Sequence, residues 1–243
     1  MTSRSATIFL LGDKQGTVQP LERLLRMVGY EVRAFLSSHD FLVGYDPTTP
    51  GCAVLDFAMP GLNGLQLQDT LAASGRQPPI VFIGRSADIS SGVPAMKRGA
   101  VDFLTKPIDK HQLFAAIQCA IEMDRQMRET RTELRSISAR LARLTPRELE
   151  VFQHVVGGRR NKQIAADLGT VEKTIKVHRS SIMKKMSASS LPELVRMAVR
   201  RERAGRGYAK ELSAEYRNCM WQYAQICPFE TATKPEIGST PLA

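Results

Sequence analysis

Asp13, Asp56 and Lys106 each stand where an apolar run stops. Asp13 follows "TIFLL" (7–11) across Gly12, Asp56 closes "CAVLD" (52–56), and Lys106 comes after "VDFLT" (101–105) and before Pro107. Short continuous apolar runs bounded by Gly, Asp or Pro read as strands buried on both faces. In open α/β sheets the carboxyl ends of such strands are where sites gather. Carboxylates and an ammonium there suit a phosphate or Mg²⁺. Such a site normally collects more than one acid, yet Asp13 has only glycine beside it.

A second set of chemistry-bearing residues lies downstream. Residues 144–203 hold 13 Lys and Arg against 6 Asp and Glu, so +7 of the chain's net +10 is concentrated there. That imbalance points to a nucleic-acid surface, against the plainer alternative of a solvated basic face.

The elements that must position these residues follow from pattern. The apolar runs 7–11, 31–35, 52–56, 80–83 and 101–105 alternate with helix-like stretches 18–28, 38–45, 65–73 and 91–98, and a fifth helix begins near Asp109. Strands each followed by a helix imply a parallel, doubly wound sheet covered on both faces. With 243 residues, of which 43% are apolar, the chain is long enough for two domains with ordinary cores. No stretch approaches the ~20 apolar residues of a membrane span, and the N-terminal apolar run is too short for a secretory signal. Cys52, Cys119, Cys219 and Cys227 are scattered without a CxxC pair, which speaks against a zinc site or disulfide framework and for a reducing cytoplasm.

"LDFAMPGLNG", "GAVDFLTKP" and the βα alternation resemble the receiver domain of response regulators over roughly residues 5–122. The resemblance makes Asp56 the phosphoacceptor for a histidine kinase and Lys106 the cation that neutralises the phosphoryl group. It makes Ile83 and Phe103 the switch positions. It implies a Mg²⁺ site, and here Asp13, Asp56 and the Ala58 carbonyl are the donors left, so the cation is expected to bind weakly. Two departures mark this receiver as degenerate: Gly12 replaces one acid, and Ile83 replaces the Ser or Thr that bonds the phosphoryl group. A charge-assisted hydrogen bond contributes ~1.5–3 kcal/mol, and typical coupling between two sites is ~1–3 kcal/mol. The missing bond is therefore as large as a whole switching energy. The segment "GRSADIS" (84–90) is about one residue long for the pattern, and Ser86 is a lesser candidate for an inward hydroxyl.

From Leu113 no turn signal appears until Leu144. Leu113, Ala116, Ala120, Met123, Met127, Thr130, Leu134, Ile137, Leu141 and Leu144 form a heptad seam, weakened at Thr130. Up to Met123 the stripe should cover the receiver sheet. Beyond Asp124 no receiver surface is expected to remain, leaving a two-stranded coiled coil or packing within the chain.

"LTPRELEVFQHVVGG" opens with a capping box, Thr145 as N-cap and Glu148 three residues on. "NKQIAADLG" reads as a short helix with Asn161 as N-cap. "TVEKTIKVHRSSIMKKM" reads as a third helix with Ile175, Ile182 and Met186 inward and Thr170 as its cap, and "SLPELVRMAVRR" as a fourth, capped by Ser190 with Glu193. A short helix, a tight turn and a basic helix form a helix-turn-helix. The stretch 143–200 resembles the four-helix DNA-binding domain of the NarL/FixJ group, shared with LuxR-type regulators. By position in that motif, Lys176, Val177 and Ser180 face base edges, while Lys162, Lys173, Thr174 and Arg179 are placed for phosphates.

The organisation expected is thus a receiver domain (1–122) of five parallel strands, a helical linker (123–143), an all-α helix-turn-helix domain (144–203) and a C-terminal extension (204–243), part helix and part disordered. Its expected function is transcription regulation of two-component type: binding of double-stranded promoter DNA as a homodimer, with phosphorylation of Asp56 weak or uncoupled. A histidine kinase and RNA polymerase are candidate partners, and no membrane is. A receiver-based interaction module that docks a kinase or another regulator is the alternative. A phosphoryl-transfer enzyme ranks last, because no second catalytic acid sits where hydrolysis would want one.

Overall fold

The structure, a computed structural model, describes residues 6–59, 62–75, 77–85 and 88–205. The strands are Thr7–Leu11 (β1), Glu31–Phe35 (β2), Gly51–Asp56 (β3), Ile80–Gly84 (β4) and Asp102–Thr105 (β5). All pair in parallel, in the order β2-β1-β3-β4-β5. The helices around them are Gln19–Met27 (α1), Ser38–Gly44 (α2), Gly64–Ala73 (α3), Ile89–Lys97 (α4) and Lys110–Leu141 (α5).

Alternate residues of the central strands feed two cores. Ile8, Leu10, Val54, Val81 and Ile83 pack towards α1 and the first half of α5. Phe9, Leu11, Leu55, Ile80 and Phe82 pack towards α2, α3 and α4. Burial on both faces is what made the strands legible as unbroken apolar runs. Asn63 caps α3 through a reciprocal box with Gln66.

α5 is one helix of 32 residues, about 48 Å long at 1.5 Å per residue. Leu113, Ala116, Ile117 and Ala120 lie in the receiver core, whereas Ile137 and Leu141 lie in the core of the C-terminal domain. The seam therefore ends in packing within the chain. Between them Met127, Thr130 and Leu134 are half-buried.

The receiver also reaches further along α5 than expected. Asp124, buried, accepts from the Gly51 backbone N–H at 2.9 Å and from Arg128 Nε at 2.6 Å. The Arg128 guanidinium donates to the carbonyls of Pro47, Thr48 and Thr49 at 3.0, 2.8 and 2.7 Å. Asp124 and Arg128 thus fasten the helix to the α2–β3 loop, correcting the expectation that receiver contact stops at Asp124. Gly51 is required here: its φ is +152° and a Cβ would collide with the Thr7 carbonyl.

The C-terminal domain is Pro146–Val156 (α6), Asn161–Asp167 (α7), Glu172–Met186 (α8) and Leu191–Gly205 (α9). Its core joins Val151, Ile164, Ile175, Ile182, Met186 and Leu194 to the end of α5. The Thr145–Glu148 capping box forms as read, and Ser190 Oγ accepts from Glu193 N–H at 3.4 Å. Two caps differ. Arg160, not Asn161, is the N-cap of α7, because Gln163 Oε1 reaches back to the Arg160 N–H at 2.9 Å. Val171, not Thr170, precedes α8, with no side-chain cap. Among the described residues no helix is long and apolar enough to cross a membrane. Cys52 and Cys119 are buried thiols. Ser86 and almost all of the extension, with Cys219 and Cys227, fall outside the described residues.

Candidate functional site

At the carboxyl edge of the sheet, β3 delivers Asp56 and β5 delivers Lys106. The structure brings them together: Lys106 Nζ donates to Asp56 Oδ2 at 2.6 Å, and Asp56 is only 5% exposed. A third residue, which no motif pointed to, completes the contact. Thr17 Oγ1 donates to the same Asp56 oxygen at 2.6 Å and accepts from Lys106 Nζ at 2.8 Å. Thr17 belongs to a π-helical turn, Lys14–Val18, in which both the Thr17 and Val18 N–H groups donate to the Asp13 carbonyl. The wider turn carries an extra residue before α1 and brings a hydroxyl to Asp56. Asp56 Oδ1 accepts the Ala58 N–H at 3.2 Å.

The other expected site residues are spread around this contact. The exposed Asp13 carboxylate accepts the Gly16 N–H at 2.6 Å. Ile83, opposite Asp56 in the β3–β4 ladder, is fully buried in the apolar core. Phe103 is half-buried, edge-on to Phe57 with centroids 5.3 Å apart, and packed against Gly84 and Gly92. Receiver domains typically bind Mg²⁺ at their acidic site. The residues here do not fit that ion well. Asp13 Oδ2 is taken up by a backbone N–H, Asp56 Oδ2 already holds an ammonium and a hydroxyl, and hard cations want several free oxygen donors. Among the described residues no group of three or more His, Cys, Asp or Glu could hold a metal ion.

The second surface is α8. Lys173, Lys176, Val177 and Ser180 are exposed on it, and Thr174 is half-buried. Lys176 Nζ lies 3.4 Å from Glu172 one turn earlier, a solvated pair that costs little to open. Arg179 is drawn to α7, its Nη1 donating to Asn161 Oδ1 at 2.9 Å; this is the use of the side chain that was expected to cap. Lys162 is exposed on α7. Underneath, the buried Glu148 accepts from Ser181 Oγ at 2.5 Å and Lys185 Nζ at 2.6 Å, fastening α8 to the start of α6. These bonds hold its carboxyl down at about 2, the Lys185 bond contributing most.

Two family models match. Residues 8–118 match "Response regulator receiver domain", and residues 142–198 match "Bacterial regulatory proteins, luxR family". Nodulation protein W of Bradyrhizobium diazoefficiens is 42% identical over 196 residues, 81% of this chain and 86% of that one. The chain belongs to the NarL/FixJ group of response regulators. Response regulator protein TmoT of Ectopseudomonas mendocina is 38% identical over 82% of this chain and 91% of its own. Among solved structures, response regulator StyR superposes with a TM-score of 0.70 at 39% identity, over 80% of this chain and 98% of that one. Members of this group regulate transcription by binding DNA under two-component control and are not enzymes. DNA and a sensor kinase are the partners that membership implies.

Proposed function

We propose that this response regulator binds promoter DNA as a homodimer through α8, in the cytoplasm, and that phosphorylation at Asp56 has little hold on that binding. The observation that carries the second part is Ile83: a fully buried aliphatic residue is the ladder partner of Asp56, at the position where the family resemblance leads one to expect a hydroxyl. The basic, exposed face of α8 carries the first part. The half-buried stripe of Met127, Thr130 and Leu134 is the part of α5 left for a second copy, and RNA polymerase is the further partner a promoter-bound dimer would meet.

The deciding measurement is operator affinity at fixed salt, with and without a small-molecule phosphodonor. Asp56→Asn is expected to change affinity by less than ~1.4 kcal/mol, which is tenfold. A native protein that tightens more than tenfold on phosphorylation would overturn the uncoupling.

Within α8 two lysines should behave differently. Lys176→Ala is expected to relax preference at one base pair by ~1–3 kcal/mol, and Lys173→Ala to weaken all sequences about equally with a shallower salt slope. Uniform behaviour of both would mean that α8 has been placed wrongly on the groove.

Assembly has its own check. Met127→Asp or Leu134→Asp should reduce dimerisation, because each puts a charge in the shared stripe. Unchanged sedimentation of both variants would assign that stripe to other packing. A second reading, a module that docks a kinase or another regulator, draws support from an apolar depression beside α1 lined by Leu24, Met27 and Ile108, with Met27 85% exposed. Kinase capture without promoter occupancy would favour it.

A further inference from the structure

The contact between Thr17, Asp56 and Lys106 has a neighbour in Gly12. A Cβ at position 12 would stand 3.1 Å from the Asp56 Cβ and 3.1 and 3.2 Å from the Thr17 Cβ and Cγ2. The Thr17 side chain therefore crowds the place that a side chain at position 12 would enter. The two positions are linked physically: a glycine at 12 admits the π turn's threonine, and a side chain at 12 would push the threonine and Asp56 back by a few tenths of an ångström. Meanwhile Asp56 already has its charge met by a lysine and a hydroxyl, each at 2.6 Å, on one oxygen.

We propose that the Gly12–Thr17 pair replaces the divalent cation in this receiver, with Thr17 as a positioning residue that, together with Lys106, holds Asp56 where a metal ion would otherwise hold it. This deepens the reading of a weakly coupled phosphoacceptor and rests on it. A carboxylate accepting two strong donors on one oxygen is compensated without a metal. Coordination of that oxygen by Mg²⁺ would require both donors to leave, and Mg²⁺ itself sheds water reluctantly. The resting receiver is then indifferent to divalent cations. Gly12→Asp alone does not restore a metal site, because the Thr17 hydroxyl still occupies the Asp56 oxygen; the restoring change is Gly12→Asp with Thr17→Ala, which removes that hydroxyl and the Cγ2 that crowds position 12.

The test is thermal unfolding of the full chain in EDTA and in millimolar MgCl₂, with isothermal titration of MgCl₂ beside it. Native protein is expected to melt at the same temperature in both buffers. Gly12→Asp/Thr17→Ala is expected to bind Mg²⁺ roughly tenfold more tightly than native, since affinity follows the number of carboxylates, and to melt higher in MgCl₂ by mass action. Gly12→Asp alone should not. Thr17→Val keeps the shape and removes the hydroxyl, and it should melt below native in EDTA. Native protein stabilised by MgCl₂ as much as the double variant, or Thr17→Val melting with native, overturns the proposal. Should the double variant not fold, native and Thr17→Val still decide. DNA affinity enters none of these readouts, so a strong phosphodonor effect on operator binding would count against the uncoupled function and leave this result standing.

Discussion

Glu148→Ala is expected to destabilise the DNA-binding domain by about 3 kcal/mol, the lower end of what breaking a buried ion pair costs. Three losses coincide. Thr145 N–H loses its acceptor at 2.8 Å, Ser181 loses its partner, and the half-buried Lys185 loses its carboxylate. Lys185 retains 33% of its side-chain exposure, so water recovers part of its charge and the loss stays at the low end of the range. The pH dependence has a definite sign. The carboxyl is held at about 2 against an ordinary 4.5, so its protonated form is disfavoured by folding. Its stabilisation is complete above the unfolded value and drains away as pH falls from about 4.5 through about 2. Urea unfolding followed by helical circular dichroism at several pH values reads both effects. A midpoint within error of native at neutral pH would show that neither the Lys185 contact nor the Glu148 half of the capping box holds α6 in place.

Asp124→Ala should cost the receiver about 2–3 kcal/mol, because it strands a buried backbone N–H at Gly51 and frees the Arg128 guanidinium from the carboxylate it pairs with. Arg128→Ala leaves Asp124 with the Gly51 N–H and opens three loop carbonyls. The two changes act on one network, so the double variant should lose less than the sum of the singles, by about 1 kcal/mol or more. Additive losses in that cycle would mean that the contacts hold the loop independently.

The central strands β1, β3 and β4 were legible because the sheet buries both of their faces, whereas the edge strand β2 keeps one face exposed and was read from its alternation with helices. The runs 7–11 and 31–35 coincide with β1 and β2. The capping box at Thr145 was legible because cap and partner lie within one turn. What escaped reading involved partners far apart in sequence or without side-chain identity. Thr17 reaches Asp56 across 39 positions, through a π turn that ordinary helical spacing does not register. Arg128 binds backbone carbonyls, and any residue carries a carbonyl. The caps at Asn161 and Thr170 misled because a side chain suited to capping was outcompeted. Gln163 took the reciprocal bond at α7, and at α8 the chain enters in extended geometry at Val171.

The unbroken course of α5 has a geometric consequence. Arg128 grips the receiver loop, Ile137 sits in the C-terminal core, and the nine-position interval between them is helix throughout. The azimuth of α8 about the sheet is therefore set by a residue count. One residue inserted in that interval would swing the DNA-reading face by about 100°, whereas seven, close to two full turns, would return it to within about 20° of its starting phase. The helix behaves as a keyed shaft between the two domains, so chain length there is under a periodic constraint, while side-chain identity at its solvent positions is not.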